Sequence, residues 1–184
     1  MQFFEKPTSC FFVSRDSLVF LSLKGGSPKR LIYDETVLSF GEIINDKKFE
    51  ELTNEFLESL GHGGKVIILL SDEIVYNKKI PESDSSNLLE IGNDFLNKVP
   101  VETHKIAKSV LQTQRGTVLF AIDKIFVKRV VSLFIAKNWQ ILHIIPTIIL
   151  GIDEEDELLL YGDVVPEALK AVETNPMVDF LGQI

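Results

Sequence analysis

The residues of this chain that could do chemistry are three histidines and an acidic run. His62, His104 and His143 show no spacing typical of metal ligands. The run DEEDE at residues 153–157 could attract a divalent cation, but adjacent like charges are usually a solvated loop. No grouping of Ser, His and Asp suggests a nucleophile, although a triad assembled in space leaves no sequence pattern. We therefore predict no catalytic residue and no metal ligand.

The glycine-rich stretch GHGG at residues 61–64 is a candidate phosphate loop, because glycines let backbone amides approach an anion closely. It follows a predicted helix and precedes a predicted strand. This is the reverse of the order that directs helix N-terminal amides toward a phosphate. We predict that the stretch ends a helix, and we expect no cofactor.

The composition indicates a folded protein with few classes of partner. Acidic residues outnumber basic ones by 27 to 19 in 184 residues, and the net charge of -8 disfavours nucleic acid. The single cysteine, Cys10, cannot form an internal disulfide and, next to two phenylalanines, is predicted to be a buried thiol in a reducing compartment. We find no secretory signal pattern and no apolar stretch near the roughly 20 residues that span a bilayer. We therefore expect a soluble, cytoplasmic chain.

Five apolar segments predict strands in the first half of the chain. Residues 9–13 and 18–23 form a predicted hairpin, and residues 30–40 a third strand. Residues 65–70 are a continuous apolar run, which is typical of a strand buried on both faces. Residues 73–80 are a further predicted strand.

Two helices with one apolar face each are predicted in the first hundred residues. The first begins at Asn45 or Asp46 and ends at Gly61. Its apolar face consists of Phe49, Leu52, Phe56 and Leu60. The second ends before Pro100, and its apolar face consists of Leu88, Ile91, Phe95 and Val99.

The next stretch has the order strand, helix, strand. Apolar runs at residues 118–122 and 139–145 flank a helical pattern that Asp123 is predicted to cap. The apolar face of this helix consists of Phe126, Val130, Leu133 and Phe134. A crossover of about a dozen residues suits a right-handed parallel connection, so we predict that both strands lie inside one sheet. A strand at residues 105–114 is predicted to pair with the first of them.

Two segments with this element order, KVIILLSDEIVYNKKIP and VLFAIDKIFVKRVVSLFIAKNWQILHIIP, resemble the N-terminal half of the PilM and GspL families. These families are actin-like cytoplasmic proteins of type IV pilus and type II secretion machines. The resemblance covers roughly residues 10–150. It implies an α/β fold of the actin-like, ribonuclease H-like type, with a mixed sheet and an inserted small α/β subdomain. Residues 1–71 and 146–184 would form the larger subdomain and residues 72–145 the inserted one.

The chain departs from the nucleotide-binding members of these families at the first hairpin turn. In those members the turn carries an aspartate and a glycine, whereas Asp16 lies in SRDS without a glycine. The family's second half, with its own phosphate and adenosine motifs, has no counterpart in residues 1–184. A ribonuclease-type nuclease would need metal-binding carboxylates on strands 9–13, 18–23 and 65–70, which have none.

The resemblance to the GspL-like members implies a non-catalytic scaffold at the cytoplasmic face of a type IV pilus or type II secretion machine. Such a module would recruit protein partners, lie peripheral to the inner membrane and reach the membrane only through a partner. It would not be an enzyme, and a homo-oligomer is left open. Two alternatives remain: an ATP-binding actin-like pilus assembly protein, and a small enzyme on a ribonuclease H-like fold.

After residue 146 the sequence predicts an acidic loop at 151–157, a short strand at 158–161, a helix at 166–172 and a tail. The tail contains four apolar residues that no later element would cover: Met177, Val178, Phe180 and Leu181. Apolar residues near a chain end are usually frayed unless something holds them. We predict that these four residues form an interface with a partner. The competing interpretation is that the tail docks on its own domain.

Overall fold

A computed structural model describes residues 7–22, 26–39, 41–61, 63–113, 116–150 and 164–184. The strands are β1 (Ser9–Val13), β2 (Ser17–Ser22), β3 (Lys29–Ile32), β4 (Leu38–Ser39), β5 (Glu42–Ile43), β6 (Lys65–Leu70), β7 (Val75–Pro81), β8 (Ile106–Thr113), β9 (Gly116–Asp123) and β10 (Gln140–Pro146). The α-helices in these ranges are α1 (Asp46–Ser59), α2 (Leu88–Lys98), α3 (Lys124–Ala136) and α4 (Val164–Thr174). Short 3-10 helices lie at Glu82–Asn87, Thr103–Lys105, Thr147–Leu150, Pro176–Val178 and Leu181–Gln183. Within the described ranges, each helix is too short or too polar to cross a membrane.

The larger sheet has five strands in the order β10-β6-β1-β2-β3. Strands β1, β2 and β3 pair antiparallel, whereas β6 pairs parallel with both β1 and β10. The side chains of residues 66–70 in β6 are all buried, as expected for an apolar strand with neighbours on both sides. The predicted α/β fold with a mixed sheet is therefore confirmed, together with the hairpin and the buried strand.

Helices cover both faces of this sheet. On one face, Phe11 belongs to the same buried cluster as Phe49 of α1 and Phe134 of α3. The rings of Phe11 and Phe134 meet edge to face, with centroids 4.4 Å apart. On the opposite face, Phe12 lies in a second buried cluster with Val172 of α4. Because side chains alternate between the two faces of a strand, β1 contributes residues to both cores.

Helix α1 begins at the predicted cap, and the chain leaves it at the predicted glycine. The Asn45 side chain accepts a hydrogen bond from a first-turn amide at 3.1 Å, and Gly61 has a φ of +91°, a value that favours glycine. Arg129 of α3 donates to the carboxylates of Asp46 and Glu50 at distances of 2.8–3.0 Å. These ion pairs join α1 to α3 across their exposed side.

The buried line of α1 differs from the predicted one by about one position. Phe49, Thr53 and Leu57 are buried, and the other three predicted residues pack beside them, partly buried. The reason is that the Thr53 hydroxyl is hydrogen-bonded inside the core. Thr53 donates to the Phe49 carbonyl at 2.6 Å and lies 2.8 Å from the Tyr33 hydroxyl. A polar residue can therefore occupy a core position that an apolar pattern does not mark.

The smaller sheet has three antiparallel strands in the order β7-β9-β8. Our prediction that the strands at residues 118–122 and 139–145 share one sheet is wrong. The first is β9, at the centre of the smaller sheet, and the second is β10, at an edge of the larger one. An apolar run indicates burial on both faces, but it does not identify the sheet. Residues 140–145 of β10, which our division assigned to the inserted subdomain, therefore belong to the larger sheet.

The predicted third strand at residues 30–40 is also too long. Strand β3 ends at Ile32, and a turn follows in which the Asp34 carboxylate accepts from the amide and the hydroxyl of Thr36 at 2.9 and 2.7 Å. This local hydrogen bonding competes with the sheet ladder, so β4 and β5 form a separate short hairpin. The predicted elements at residues 151–161 lie outside the described residues.

We expect Phe134→Ala to lower the free energy of unfolding by about 3–5 kcal/mol, because it removes a fully buried ring from the contact between α3 and the sheet. Urea melts measure the change. Lys128→Ala is the control, since Lys128 lies on the exposed side of the same helix. Equal midpoints for the two variants would contradict this placement of α3.

We expect the Cys10 thiol to resist modification in the native state. It is 0% exposed, and burial raises the pKa of the thiol to about 12, so very little thiolate exists at pH 8. Reaction with a disulfide reagent at pH 8, followed by absorbance, should be slow in buffer and fast in urea. Fast labelling in buffer would show that β1 opens without global unfolding.

Candidate functional site

An apolar groove of about 590 Å³ lies between α2, strands β8 and β9, and the C-terminal segment, which we define as residues 175–184. Helix α2 forms one wall with Leu88, Leu89, Gly92, Asn93, Phe95 and Leu96. The floor consists of Lys108, Ser109, Val110, Leu119 and Phe120. The opposite wall consists of Met177, Asp179 and Gln183.

Of the predicted apolar face of α2, Leu88 and Phe95 line the groove and are partly buried, whereas Val99 at the end of the helix is buried. No residue within α2 is buried, and Leu89 is 81% exposed. The helix approaches the sheet at Gly92, where an added Cβ would lie 3.6 Å from a methyl group of Leu119. The sequence pattern identifies the apolar face of such a helix, but it does not show whether the chain itself covers that face.

The C-terminal segment docks on its own domain. Val178 and Phe180 are 0% exposed and belong to the buried clusters, so these two predicted interaction residues are core residues. Leu181 is partly buried against the core. Met177 is 67% exposed and reaches the groove. Of the four residues predicted from the tail, Met177 is the one that the fold leaves available to a partner.

The groove contains polar atoms, but most of them are already hydrogen-bonded within the chain. The Ser109 hydroxyl donates to the carbonyl of Met177, and the Gln183 side chain accepts from the amide of Lys108 at 3.0 Å. The Asp179 carboxylate accepts from His143 Nδ1 at 2.8 Å and from two backbone amides. The surface left to a ligand is therefore mainly apolar, with the exposed Lys108 side chain at its rim.

The turn between β1 and β2, the first place to look for a phosphate loop, is closed by its own hydrogen bonds. The amide of Ser14 donates to the carbonyl of Ser17 at 3.0 Å, and the amide of Ser17 donates to the Ser14 hydroxyl at 3.1 Å. That hydroxyl also lies 3.2 Å from the Asp16 carboxylate. Two carbonyls of the turn accept amides from residues 33 and 41. Asp16 thus has a structural role within the turn.

The glycine-rich loop at residues 61–64 has a packing role in addition to ending α1. A Cβ on Gly63 would overlap the carbonyl group of Asn138, and the carbonyl of Gly64 accepts from the Gln140 amide at 2.9 Å. The loop therefore packs directly on the turn between α3 and β10. The glycines are visible in the sequence, but the sequence does not show that the turn between α3 and β10 is the neighbour that requires them.

The histidines that the structure describes do not form a metal site. His104 is exposed beside Glu102, with 3.5 Å between Nδ1 and the carboxylate, and His143 pairs with Asp179. Within the described ranges, no group of three or more His, Cys, Asp or Glu side chains could hold a metal ion. His62 and the acidic run at residues 153–157 lie outside those ranges.

A second cleft, of about 410 Å³, lies at the N-terminus of α3, and three of its charged side chains have structural partners. The Asp123 carboxylate caps α3, accepting from the Ile125 amide at 2.8 Å. Lys105 donates to Glu102 at 2.6 Å, and this hydrogen bond lowers the pKa of the Glu102 carboxyl. These contacts engage Asp123, Lys105 and Glu102 within the chain.

Together these features define an α/β protein with a mixed sheet, an inserted antiparallel sheet and an open apolar groove beside α2. The sequence matches no family model and no curated protein. The structure is similar to the cytoplasmic domain of EpsL, an inner-membrane component of the type II secretion system of Vibrio cholerae. The TM-score is 0.47 at 13% identity, over 78% of this chain and 58% of that chain.

Two further solved structures are similar. One is the PilM–PilN type IV pilus biogenesis complex, with a TM-score of 0.47 and 12% identity over 71% of this chain and 44% of that chain. The other is a protein of Bacteroides thetaiotaomicron with an actin-like ATPase fold and unknown function, with a TM-score of 0.40 and 15% identity over 77% and 54%. This chain spans about half the length of each of these structures.

Proposed function

We propose that this chain is a non-catalytic assembly module of a type II secretion or type IV pilus machine, and that it recruits a protein partner through the α2 groove. The partner would contribute a short apolar peptide segment. The observation that carries the proposal is the open groove itself, with Leu89 and Met177 exposed on its opposite walls. The sequence resemblance to GspL-like scaffolds supports the choice of machine.

The chemistry of the groove supports an apolar occupant. Exposed apolar side chains that face each other across a concave surface gain roughly 25 cal/mol for each Å² that a ligand removes from water. The Ser109 hydroxyl, the Asp179 carboxylate and the Gln183 side chain are engaged within the chain. A polar ligand would therefore find few free partners. The Lys108 ammonium group at the rim favours a carboxylate next to the apolar part of the peptide.

The closed turn between β1 and β2 supports a role without nucleotide hydrolysis. An amide that already donates to a carbonyl or hydroxyl of the same turn cannot donate to a phosphate oxygen unless the turn opens. Both Ser14 and Ser17 are in this state. Because strands β1, β2 and β6 have no carboxylate, a metal-dependent nuclease has no ligands on these strands. The module would lie at the cytoplasmic face of the inner membrane through its partner.

We expect no useful affinity for ATP with Mg²⁺. Calorimetry on the full chain at micromolar concentration is the measurement, because a Kd of about 10 μM corresponds to roughly 7 kcal/mol of binding free energy and would be detected easily. Asp16→Ala is the companion variant, since it alters the turn without touching the groove. ATP binding at that strength, lost in the variant, would replace the scaffold proposal with an ATP-binding actin-like protein.

We expect a peptide from the partner to bind in the groove and to lose at least about tenfold in affinity, about 1.4 kcal/mol, in Gly92→Leu. A leucine at this position would project into the groove toward Leu119. Fluorescence anisotropy can measure binding of labelled peptides from the cytoplasmic segments of inner-membrane components of the organism's type II secretion or type IV pilus machine.

The matched control is Asn97→Leu, which places the same side chain on an exposed position of α2 that does not line the groove. Equal peptide affinity in both variants would place the binding site elsewhere. Failure of every peptide to bind would leave the recruitment proposal without support.

A further inference from the structure

We infer that His143 is a positioning residue for the α2 groove: through Asp179, it fixes the C-terminal segment as the wall opposite α2. Its importance for partner binding rests on the proposed function, whereas its effect on the groove itself does not. His143 does not line the groove. It would therefore determine the affinity of the groove indirectly, by holding the segment in place.

The C-terminal segment wraps around the edge strand of the larger sheet. Val178 lies in the core on the α4 face, and Phe180 lies in the core on the opposite face. Between them, the backbone of Ile144 in β10 bonds to the segment in both directions. Its amide donates to Asp179 Oδ1 at 2.9 Å, and its carbonyl accepts from the Phe180 amide at 2.9 Å.

The same segment contacts the edge strand of the smaller sheet. Gln183 accepts from the Lys108 amide of β8 at 3.0 Å, and the Met177 carbonyl accepts from the Ser109 hydroxyl. The segment is thus fixed to β10 and β8 at once. Because Met177, Asp179 and Gln183 form one wall of the groove, the position of the segment sets its width.

His143 is the side-chain partner of Asp179, the residue that bonds both to β10 and to the Leu181 amide within the segment. Asp179 Oδ1 accepts from the amides of Ile144 and Leu181, at 2.9 and 3.0 Å, and Oδ2 lies 2.8 Å from His143 Nδ1. The two side chains are only 17% and 16% exposed. Removing the imidazole would leave a carboxylate oxygen with poor access to water and without its side-chain donor, which disfavours the present position of Asp179.

Two buried apolar residues of the segment, Val178 and Phe180, allow the effect of losing His143 to be distinguished from general unfolding. Val178 and Phe180 are fully buried in the two cores, so we expect the segment to stay attached when the pair is lost. After Phe180, Leu181 and Ile184 pack against the core only partly buried, and the Gln183 side chain is held by its bond to the Lys108 amide. Loss of His143 should therefore move Gln183 away from β8 and deform the groove, while the two cores stay intact.

The test compares His143→Leu with His143→Asn in the full chain. The side-chain amide nitrogen of asparagine takes a position close to that of imidazole Nδ1 and can donate to Asp179, whereas leucine cannot. One readout is hydrogen exchange of the Lys108 and Leu181 amides, which donate to Gln183 and Asp179. The other is the affinity for anilinonaphthalene sulfonate, an apolar dye with one anionic group that suits the groove and Lys108.

We expect at least about tenfold faster exchange and at least about tenfold weaker dye binding in His143→Leu, with both values near wild type in His143→Asn. Gly92→Leu should weaken dye binding without changing the exchange, which verifies that the dye reports the groove. Unchanged exchange in His143→Leu would overturn the inference. So would faster exchange with unchanged dye affinity, because the segment would then not be a wall of the site.

Gln183→Ala covers the case in which His143→Leu does not fold. This variant removes the contact with β8 and leaves the largely buried His143–Asp179 pair in place. It should accelerate exchange at Lys108 and weaken dye binding, and wild-type values for both would contradict the inference. If the dye results hold while no peptide binds, the proposed function fails and the role of His143 in shaping the groove stands.

Discussion

The fold depends on the parallel pairing of β6 between β1 and β10. A strand with neighbours on both sides directs all its backbone groups into the sheet, and its side chains must fill a core on each face. Residues 66–70 satisfy this requirement with Val, Ile and Leu alone. The helices are placed accordingly, with α1 and α3 on one face and α4 on the other. The insertion of the smaller sheet between β6 and α3 leaves this arrangement intact.

The sequence was sufficient to predict the elements of the larger sheet, because their signals are local. An apolar run, an asparagine cap and a terminating glycine each act within a few residues of themselves. The partner of β9 was not predictable in this way. Its run of apolar residues would be equally stable in the centre of either sheet, and only the pairing with β7 and β8 decides which one it joins.

The groove was less accessible to sequence reasoning than the sheet. The apolar face of α2 is readable from the spacing of Leu88, Ile91 and Phe95, but the same spacing describes a helix that is fully covered. The C-terminal segment shows the converse difficulty. Val178 and Phe180 look like unpartnered residues near a chain end until the edge of β10 supplies a place for them. The exposure of α2 and the burial of Val178 and Phe180 both depend on contacts between residues distant in sequence, which no local pattern encodes.

The path of the C-terminal segment also bears on self-association. The outward-facing amide and carbonyl of Ile144 and the amide of Lys108 lie on strands that end their sheets. Such groups can template the addition of a strand from another molecule, the first step of edge-to-edge aggregation. By bonding to both strands, residues 175–184 occupy these positions. Their backbone is irregular, so it offers no regular hydrogen-bond ladder to a strand of another molecule. A single short stretch of chain thereby covers one edge strand of each sheet.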